Sequence, residues 1–220
     1  FRAIELIREA MNGKVPLIMT VFSPLDVAGK LVDQDKQLMI NHLSQDPESV
    51  AHALAVFAET FAPFVRRLGE SGIDGIYYSS KWANRNKLPA EEYRRLARPY
   101  DLQILAEAQG FGCNIMHLCE DAIHLEAMSD YPVDVFHWDN CTDNNPSLAD
   151  GRTTVGKTVG GGVNSPTLAT ATPEEVEKKA RNAIEGTGGR GLLLGPGCSI
   201  LTAETSDANL HALRRAVEGV

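Results

Sequence analysis

The chain has 220 residues and a formal net charge of −8, with 29 acidic residues against 21 basic ones. This net negative charge, without a basic stripe, argues against binding to a phosphate backbone, so no nucleic-acid partner is expected. No apolar run reaches the ~20 residues that span a bilayer, and no secretory signal precedes the first helix, so no membrane partner is expected either. The length suits one domain, residues 1–220, and four cysteines in a chain of this size predict reduced thiols and a cytoplasmic location.

The chain begins at Phe1, without a methionine, inside a helical pattern over residues 3–10. We therefore expect an N-terminal portion of a longer protein to be missing from it. Beyond this helix, six apolar segments bounded by turn residues predict strands. The predicted strands lie at residues 15–22, 73–79, 113–118, 133–138, 158–163 and 191–195.

Helix signals separate these strands. Asp46 followed by Pro47 predicts a capped helix start. The run Thr172-Pro173-Glu174-Glu175 has the form of a capping box, and Ser206 predicts the cap of a last helix. Further helical segments are predicted over residues 25–32, from Pro89 to about Gln109, and near residues 122–128.

Apolar strands that alternate with helices predict a parallel sheet, and a doubly wound sheet and a (β/α) barrel both fit the pattern. Polar residues cluster where the predicted strands end, and a barrel gathers its strand ends into one mouth that holds the active site. We therefore predict an α/β fold of the TIM-barrel type. Six strands are two short of a closed barrel, which agrees with a missing N-terminal portion. An end strand without its neighbour tends to pair with another chain, so a homo-oligomer is a further expectation.

His117 and Cys119 follow an apolar strand and lie two residues apart, so they share one face of it. Cys198 lies at the end of another apolar strand with a glycine-rich stop. If both strands belong to one parallel sheet, an imidazole and two thiolates converge, which suits zinc with an open fourth position. The alternative is a core histidine with two buried cysteines that never meet.

Other candidates have plainer explanations. Asp139, Cys141 and Asp143 could bind a metal, but in a loop rich in Asn and Asp they are typical turn formers. His124 and Glu120 lie close to the His-x-Cys pair and could orient His117 or a substrate. The glycines at 160–162 match no phosphate-binding spacing and are interpreted as space for a large ligand.

The order of these motifs resembles the uroporphyrinogen decarboxylase family, a (β/α)-barrel family that includes zinc-dependent methyltransferases acting between a corrinoid and a thiol. The resemblance rests on the following segments in order: Ser23-Pro24-Leu25, Gly72–Ile76, His117-Leu118-Cys119, Trp138-Asp139, the glycine strand with Asn164, Thr172–Val176, Gly189–Cys198 and Ser206–Val217.

The resemblance is closer to the methyltransferase branch. The decarboxylases carry a histidine where this chain has Pro196 and a tyrosine at the position aligned with Lys30. The methyltransferases hold zinc with a His-x-Cys pair and a distant cysteine, which match His117, Cys119 and Cys198. Family members usually have glycine after this pair, whereas this chain has Glu120, which would crowd the site or approach the metal.

The resemblance therefore implies zinc-dependent methyl transfer between a corrinoid, free or held on a corrinoid protein, and a small-molecule thiol. Decarboxylation of a tetrapyrrole and non-catalytic binding of a corrinoid or porphyrin are the alternatives. On the methyltransferase reading, the expected catalytic residues are Glu120 and Asp139. The expected substrate-binding residues are Ser79, Ser80 and Asn164.

Overall fold

The computed structural model describes residues 1–218. Its strands are β1 (Ile18–Phe22), β2 (Gly75–Ser80), β3 (Ile115–Leu118), β4 (Val135–Trp138), β5 (Thr158–Val163) and β6 (Leu192–Pro196). Its helices are α1 (Arg2–Met11), α2 (Pro24–Leu31), α3 (Lys36–Gln45), α4 (Pro47–Glu70), α5 (Ala90–Leu96), α6 (Arg98–Ala106), α7 (Leu125–Met128), α8 (Leu148–Val155), α9 (Ser165–Thr170), α10 (Pro173–Gly186) and α11 (Asp207–Arg215). None of the helices described is both long and apolar enough to cross a bilayer.

The six strands form one sheet in chain order, β1 to β6, and the pairs β1–β2, β4–β5 and β5–β6 are parallel. Each strand lies within two or three residues of its predicted span. The prediction succeeds because the strands are short runs between turn residues, and β3 and β4, whose residues are all buried, need no alternation to be recognised. β1 and β6 end the sheet, with Phe22 39% and Leu193 44% exposed. Self-association through these ends stays a prediction.

Side-chain caps begin the helices where the sequence predicts them. The Asp46 carboxylate accepts a hydrogen bond from the Ser49 N–H at 3.1 Å. Thr172 and Glu175 exchange both bonds of a capping box at the start of α10. The Ser206 hydroxyl accepts from the Asn209 N–H at 3.2 Å and starts α11. These starts are predictable because a cap depends on residues within one turn.

Other helix predictions need correction. The single helix predicted from Pro89 to about Gln109 is two helices, α5 and α6, that break at Ala97. Pro99 explains the break, because it has no N–H to donate back along α5 and restricts the residue before it. The helix near residues 122–128 is shorter than predicted. Three helices were not predicted from the sequence: α3, α8 and α9, which begin at the side-chain caps Asp35, Ser147 and Asn164.

The chain forms two compact units. Within the described residues, the first comprises residues 1–117 with 130–134, and the second comprises residues 118–129 with 135–218. The second unit has an apolar cluster in which β5, α9, α10 and α11 bury Val163, Leu168, Val176 and Ala212 completely.

A buried carboxylate organises the interior of the first unit. Asp101 of α6 is 0% exposed and accepts hydrogen bonds from the hydroxyls of Tyr78 at 2.6 Å, Tyr93 at 3.0 Å and Tyr131 at 2.9 Å. Burial raises the pKa of Asp101 to about 6, although the three hydroxyls act to lower it. The acid and three tyrosines therefore tie β2, α5 and α6 together through polar bonds inside an apolar core.

Candidate metal centre

His117 lies near the end of β3, a strand whose four residues are all buried. Its side chain is 3% exposed, and its imidazole stacks on the Tyr77 ring of β2 with centroids 5.1 Å apart. Cys119 follows directly after the strand and is half-buried. Leu118 between them is fully buried. The position of His117 relative to Cys119 is therefore set by two residues of extended backbone.

Cys198 follows β6 in a loop whose Pro196–Gly197 peptide is held by a hydrogen bond at each end. The Gly197 N–H donates to the Val163 carbonyl at 3.1 Å, and the Pro196 carbonyl lies 2.8 Å from His137 Nε2. A Cβ on Gly197 would lie 2.6 Å from Asp139 Cα, so only glycine lets the loop approach the end of β4 this closely. These contacts bring Cys198 Sγ to 3.8 Å from Cys119 Sγ, across 79 residues of sequence.

The three predicted ligands lie together in the structure and form a group that could hold a metal ion. The ligand atoms of His117, Cys119 and Cys198 all lie within 4.8 Å of one another. Two thiolates on one tetrahedral zinc, each bonded at about 2.3 Å, are about 3.8 Å apart, which agrees with the observed sulfur separation. Each of the four cysteines is a thiol. The donor set fits zinc with three protein ligands and one further position.

The loop that follows Cys119 has an uncommon backbone. Glu120 has φ 73° and Ala122 has φ 57°, in the left-handed region that glycine favours. The Asn145 amide holds the loop, because its Nδ2 donates to the carbonyls of Glu120 and Asp139, both at 2.9 Å. Asn145 therefore joins the ends of β3 and β4. This role was not predicted from the sequence, because an Asn-rich segment indicates turns but not the groups that they contact.

Asp139 makes the turn that its neighbours predict. Its Oδ1 accepts from the Cys141 N–H at 2.9 Å, which closes an Asx turn. The same residue packs against Gly197, beside Cys198. Asp139 is thus next to the candidate metal centre through the backbone of the cysteine loop. Glu120, the other predicted catalytic residue, has an exposed side chain.

The predicted substrate-binding residues separate in the structure. Ser79 shares its strand face with Tyr77, whose ring stacks on His117. Ser80 points to the opposite face, is 0% exposed and bonds the Tyr93 hydroxyl at 2.8 Å. Asn164 caps α9, with its Oδ1 accepting from the Thr167 N–H at 3.1 Å. Of the two serines, Ser79 therefore lies on the strand face nearer to His117. Asn164 caps α9 whether or not it also binds a substrate.

The glycines of β5 do not leave open space. A Cβ on Gly160 would lie 2.7 Å from the His137 ring, one on Gly161 would lie 2.7 Å from the Trp138 carbonyl, and one on Gly162 would lie 2.8 Å from Leu194. Protein atoms thus fill the room that the sequence analysis assigns to a large ligand. The glycines serve close packing of β5 against its neighbours.

Asp26 is a second residue that the sequence analysis missed. It is 2% exposed at the start of α2, and both its carboxylate oxygens accept from the Lys81 N–H, at 2.8 and 2.9 Å. Burial raises the pKa of Asp26 to about 7. The carboxyl group connects the ends of β1 and β2. The one sequence signal near it is Ser23 before Pro24, a pattern typical of a helix cap. In the structure the Ser23 hydroxyl accepts a hydrogen bond from the Asp26 N–H at 3.1 Å.

The uroporphyrinogen decarboxylase (URO-D) family model matches residues 1–220 of this chain. The chain belongs to the uroporphyrinogen decarboxylase family. Two curated relatives, both named uroporphyrinogen decarboxylase, are 26% identical to it. The protein of Sorangium cellulosum aligns over 86% of this chain and 54% of its own length, and that of Prochlorococcus marinus over 97% and 61%. The chain thus spans little more than half the length of these family members.

Solved structures of similar fold agree with the family. A methyltransferase from Methanosarcina mazei has a TM-score of 0.85 at 23% identity, over 98% of this chain and 62% of its own. A B12-independent methionine synthase from Shewanella sp. W3-18-1 has a TM-score of 0.69 at 16% identity, over 99% of this chain and 65% of its own. At these identities the likeness concerns the fold alone. The predicted α/β fold of the (β/α)-barrel type is confirmed.

Proposed function

We propose that this member of the uroporphyrinogen decarboxylase family performs zinc-dependent methyl transfer from a corrinoid, free or carried on a protein, to a small-molecule thiol. The observation that carries the proposal is the 3.8 Å separation of the Cys119 and Cys198 sulfurs beside an imidazole. This separation is the one that a shared zinc ion requires. The relatives named methyltransferase and decarboxylase are longer than this chain, so the donor and the acceptor belong to the proposal.

His117, Cys119 and Cys198 would hold the ion and leave one position for the sulfur of the substrate. A free thiol has a pKa near 8.5, and bound zinc would supply a deprotonated, nucleophilic sulfur at neutral pH. The stacking of His117 on Tyr77 keeps its ring orientation and excludes water from one side of the imidazole. These residues therefore bind and orient the thiol.

The remaining predicted residues receive supporting roles. Ser79, on the same face as Tyr77, would offer a hydroxyl to the polar end of the substrate. Asp139 and Glu120, at the ends of β4 and β3, are proposed as the carboxylates that accept the proton lost by the thiol. Asn164 remains a proposed substrate contact whose side chain also caps α9.

Decarboxylation of a tetrapyrrole is the second candidate, because the curated relatives have that name. The residues that can be compared do not favour it. Pro196 occupies the position of a decarboxylase histidine, and Lys30, at the position of a tyrosine, has its amine 3.0 Å from the centre of the Phe22 ring. Non-catalytic binding of a corrinoid or porphyrin is the third candidate.

Metal analysis of the purified protein tests the proposal. We expect about one zinc per chain in the wild type, and loss of zinc together with thiol methylation from methylcobalamin in Cys198→Ala. Cys113→Ala is the matched control, because Cys113 is also a half-buried thiol but lies outside the ligand group. If Cys198→Ala keeps full zinc, the methyltransferase proposal fails. Turnover of uroporphyrinogen by the wild type would then favour the decarboxylase, and its absence the binder.

A further inference from the structure

His137 lies in the middle of β4 and is 6% exposed. It pairs in register with Gly160 of β5, which pairs in turn with Leu193 of β6. Its neighbour Trp138 points to the opposite face, where the indole N–H donates to the Pro146 carbonyl at 2.9 Å. The two adjacent residues of one strand thus make two separate bonds to backbone carbonyls.

The imidazole of His137 reaches across β5 because Gly160 has no side chain. A Cβ at Gly160 would lie 2.7 Å from His137 Cδ2 and 3.2 Å from His137 Cβ. Nε2 comes to 2.8 Å from the carbonyl oxygen of Pro196. Since a carbonyl can only accept, Nε2 carries the hydrogen and donates it. A nitrogen that donates in this way does not ligate a metal at the same time.

Pro196 is the last residue of β6 and lies two residues before Cys198. It stands between Gly195 and Gly197, and because glycine tolerates many backbone conformations, the path of this loop depends on its hydrogen bonds. The bond from His137 holds the carbonyl of the Pro196–Gly197 peptide, and the Gly197 N–H bond to the Val163 carbonyl holds the other end of the same peptide. The direction in which Cys198 leaves the loop depends on both bonds.

We propose that His137 is a positioning residue that sets Cys198 beside Cys119. It acts through the Pro196 carbonyl and does not belong to the ligand group of His117, Cys119 and Cys198. The proposal concerns the distance between the Cys119 and Cys198 sulfurs. Its consequence for zinc binding rests on the proposed function. Loss of a polar contact that orients a metal ligand typically weakens metal binding by about 10- to 100-fold.

Four variants separate positioning from stability. His137→Leu removes the donor, and His137→Gln keeps an N–H near the same place. Gly160→Ala forces the imidazole away from Pro196. Trp138→Phe is the matched control, because it removes one bond to a backbone carbonyl from the same strand on the opposite face. Each is measured for its zinc Kd by chelator competition and its free energy of unfolding in urea.

We expect about tenfold weaker zinc binding in His137→Leu and Gly160→Ala. His137→Gln should return zinc binding to within about threefold of the wild type, and Trp138→Phe should keep wild-type zinc binding despite its loss of stability. Equal losses in His137→Leu and Trp138→Phe would overturn the proposal, because zinc binding would then follow general stability. Failure of His137→Gln to restore zinc binding would overturn it as well.

A second measurement needs no metal. Diamide takes one hydrogen from each of two thiols and is reduced to a hydrazine as the sulfurs join. In zinc-free protein the Cys119–Cys198 disulfide, detected by mass spectrometry as a loss of two hydrogens, should form about tenfold more slowly in His137→Leu than in wild type or Trp138→Phe, because a small displacement of one reacting group slows its reaction with the other. A wild type that binds no zinc would refute the proposed function, while this rate still tests His137. An unchanged rate refutes the positioning role.

Discussion

Glu120 offers the sharpest test of how the loop after the candidate ligands is built. Its φ of 73° places a side chain in the left-handed region, where an L-residue other than glycine costs about 1–2 kcal/mol. Glu120→Gly relieves this cost and loses about 0.5–1 kcal/mol through the greater entropy of glycine in the unfolded chain. Glu120→Ala keeps the backbone cost and removes the same carboxylate. We therefore expect the glycine variant to be more stable than the alanine variant by about 0.5–1 kcal/mol.

The assay is urea unfolding of both variants in the presence of a chelator, so that metal binding does not contribute to the free energy. Ala122→Gly, at φ 57°, provides an independent second position with the same expected direction. A glycine variant that is less stable than Glu120→Ala would refute the reasoning from backbone strain.

The same pair of variants also separates the backbone of Glu120 from its carboxylate. Neither variant has an acid at position 120, so a carboxylate that takes part in methyl transfer predicts equal losses of rate in both. If both variants keep the wild-type methylation rate, Glu120 has no catalytic role. If only the alanine variant loses rate, the conformation of the loop matters and the acid does not.

Three further predictions concern stability. Burial raises the pKa of Asp26 from 3.8 to about 7, so between these pH values the folded chain keeps a proton that the unfolded chain releases. The stability gained from this protonation is fully present below pH 3.8 and is lost as the pH rises through about 7. In the wild type, the free energy of unfolding should therefore fall with pH by up to ~1.4 kcal/mol per pH unit in this range, and Asp26→Asn should remove that fall. Urea unfolding from acid to neutral pH measures both. Gly151→Ala should destabilise the fold by about 1–3 kcal/mol, because its Cβ would lie 2.4 Å from the buried Trp138 ring. Gly186→Ala, whose Cβ would meet nothing within 4 Å, should stabilise it by up to about 1 kcal/mol. Thermal unfolding that shows a change of the same sign in both variants would contradict this. Thr172→Ala should cost about 1 kcal/mol in the same assay through loss of its capping box, and an unchanged midpoint would argue against that bond in solution.

Local patterns in the sequence were enough to predict much of this protein. The six strands, the caps at Asp46, Thr172 and Ser206, and the shared face of His117 and Cys119 each depend on residues within about one helical turn or two strand positions. A cap bonds to an N–H three residues away, and strand alternation needs only neighbouring residues. Such features depend on neighbouring residues, which is why they could be predicted from the chain alone.

The tertiary structure decided which of these features meet. Cys198 comes within 3.8 Å of Cys119 only because the four strands β3 to β6 lie side by side with their crossovers packed, and nothing local to either cysteine encodes that distance. The direction of Ser80 and the partners of Asp101, which lie 8 to 30 residues away, likewise depend on how helices pack against the sheet. Propensity and periodicity describe one element at a time. Contacts between elements are set by close packing of the whole interior, where a missing Cβ, as at Gly160 or Gly197, determines which side chain reaches which carbonyl.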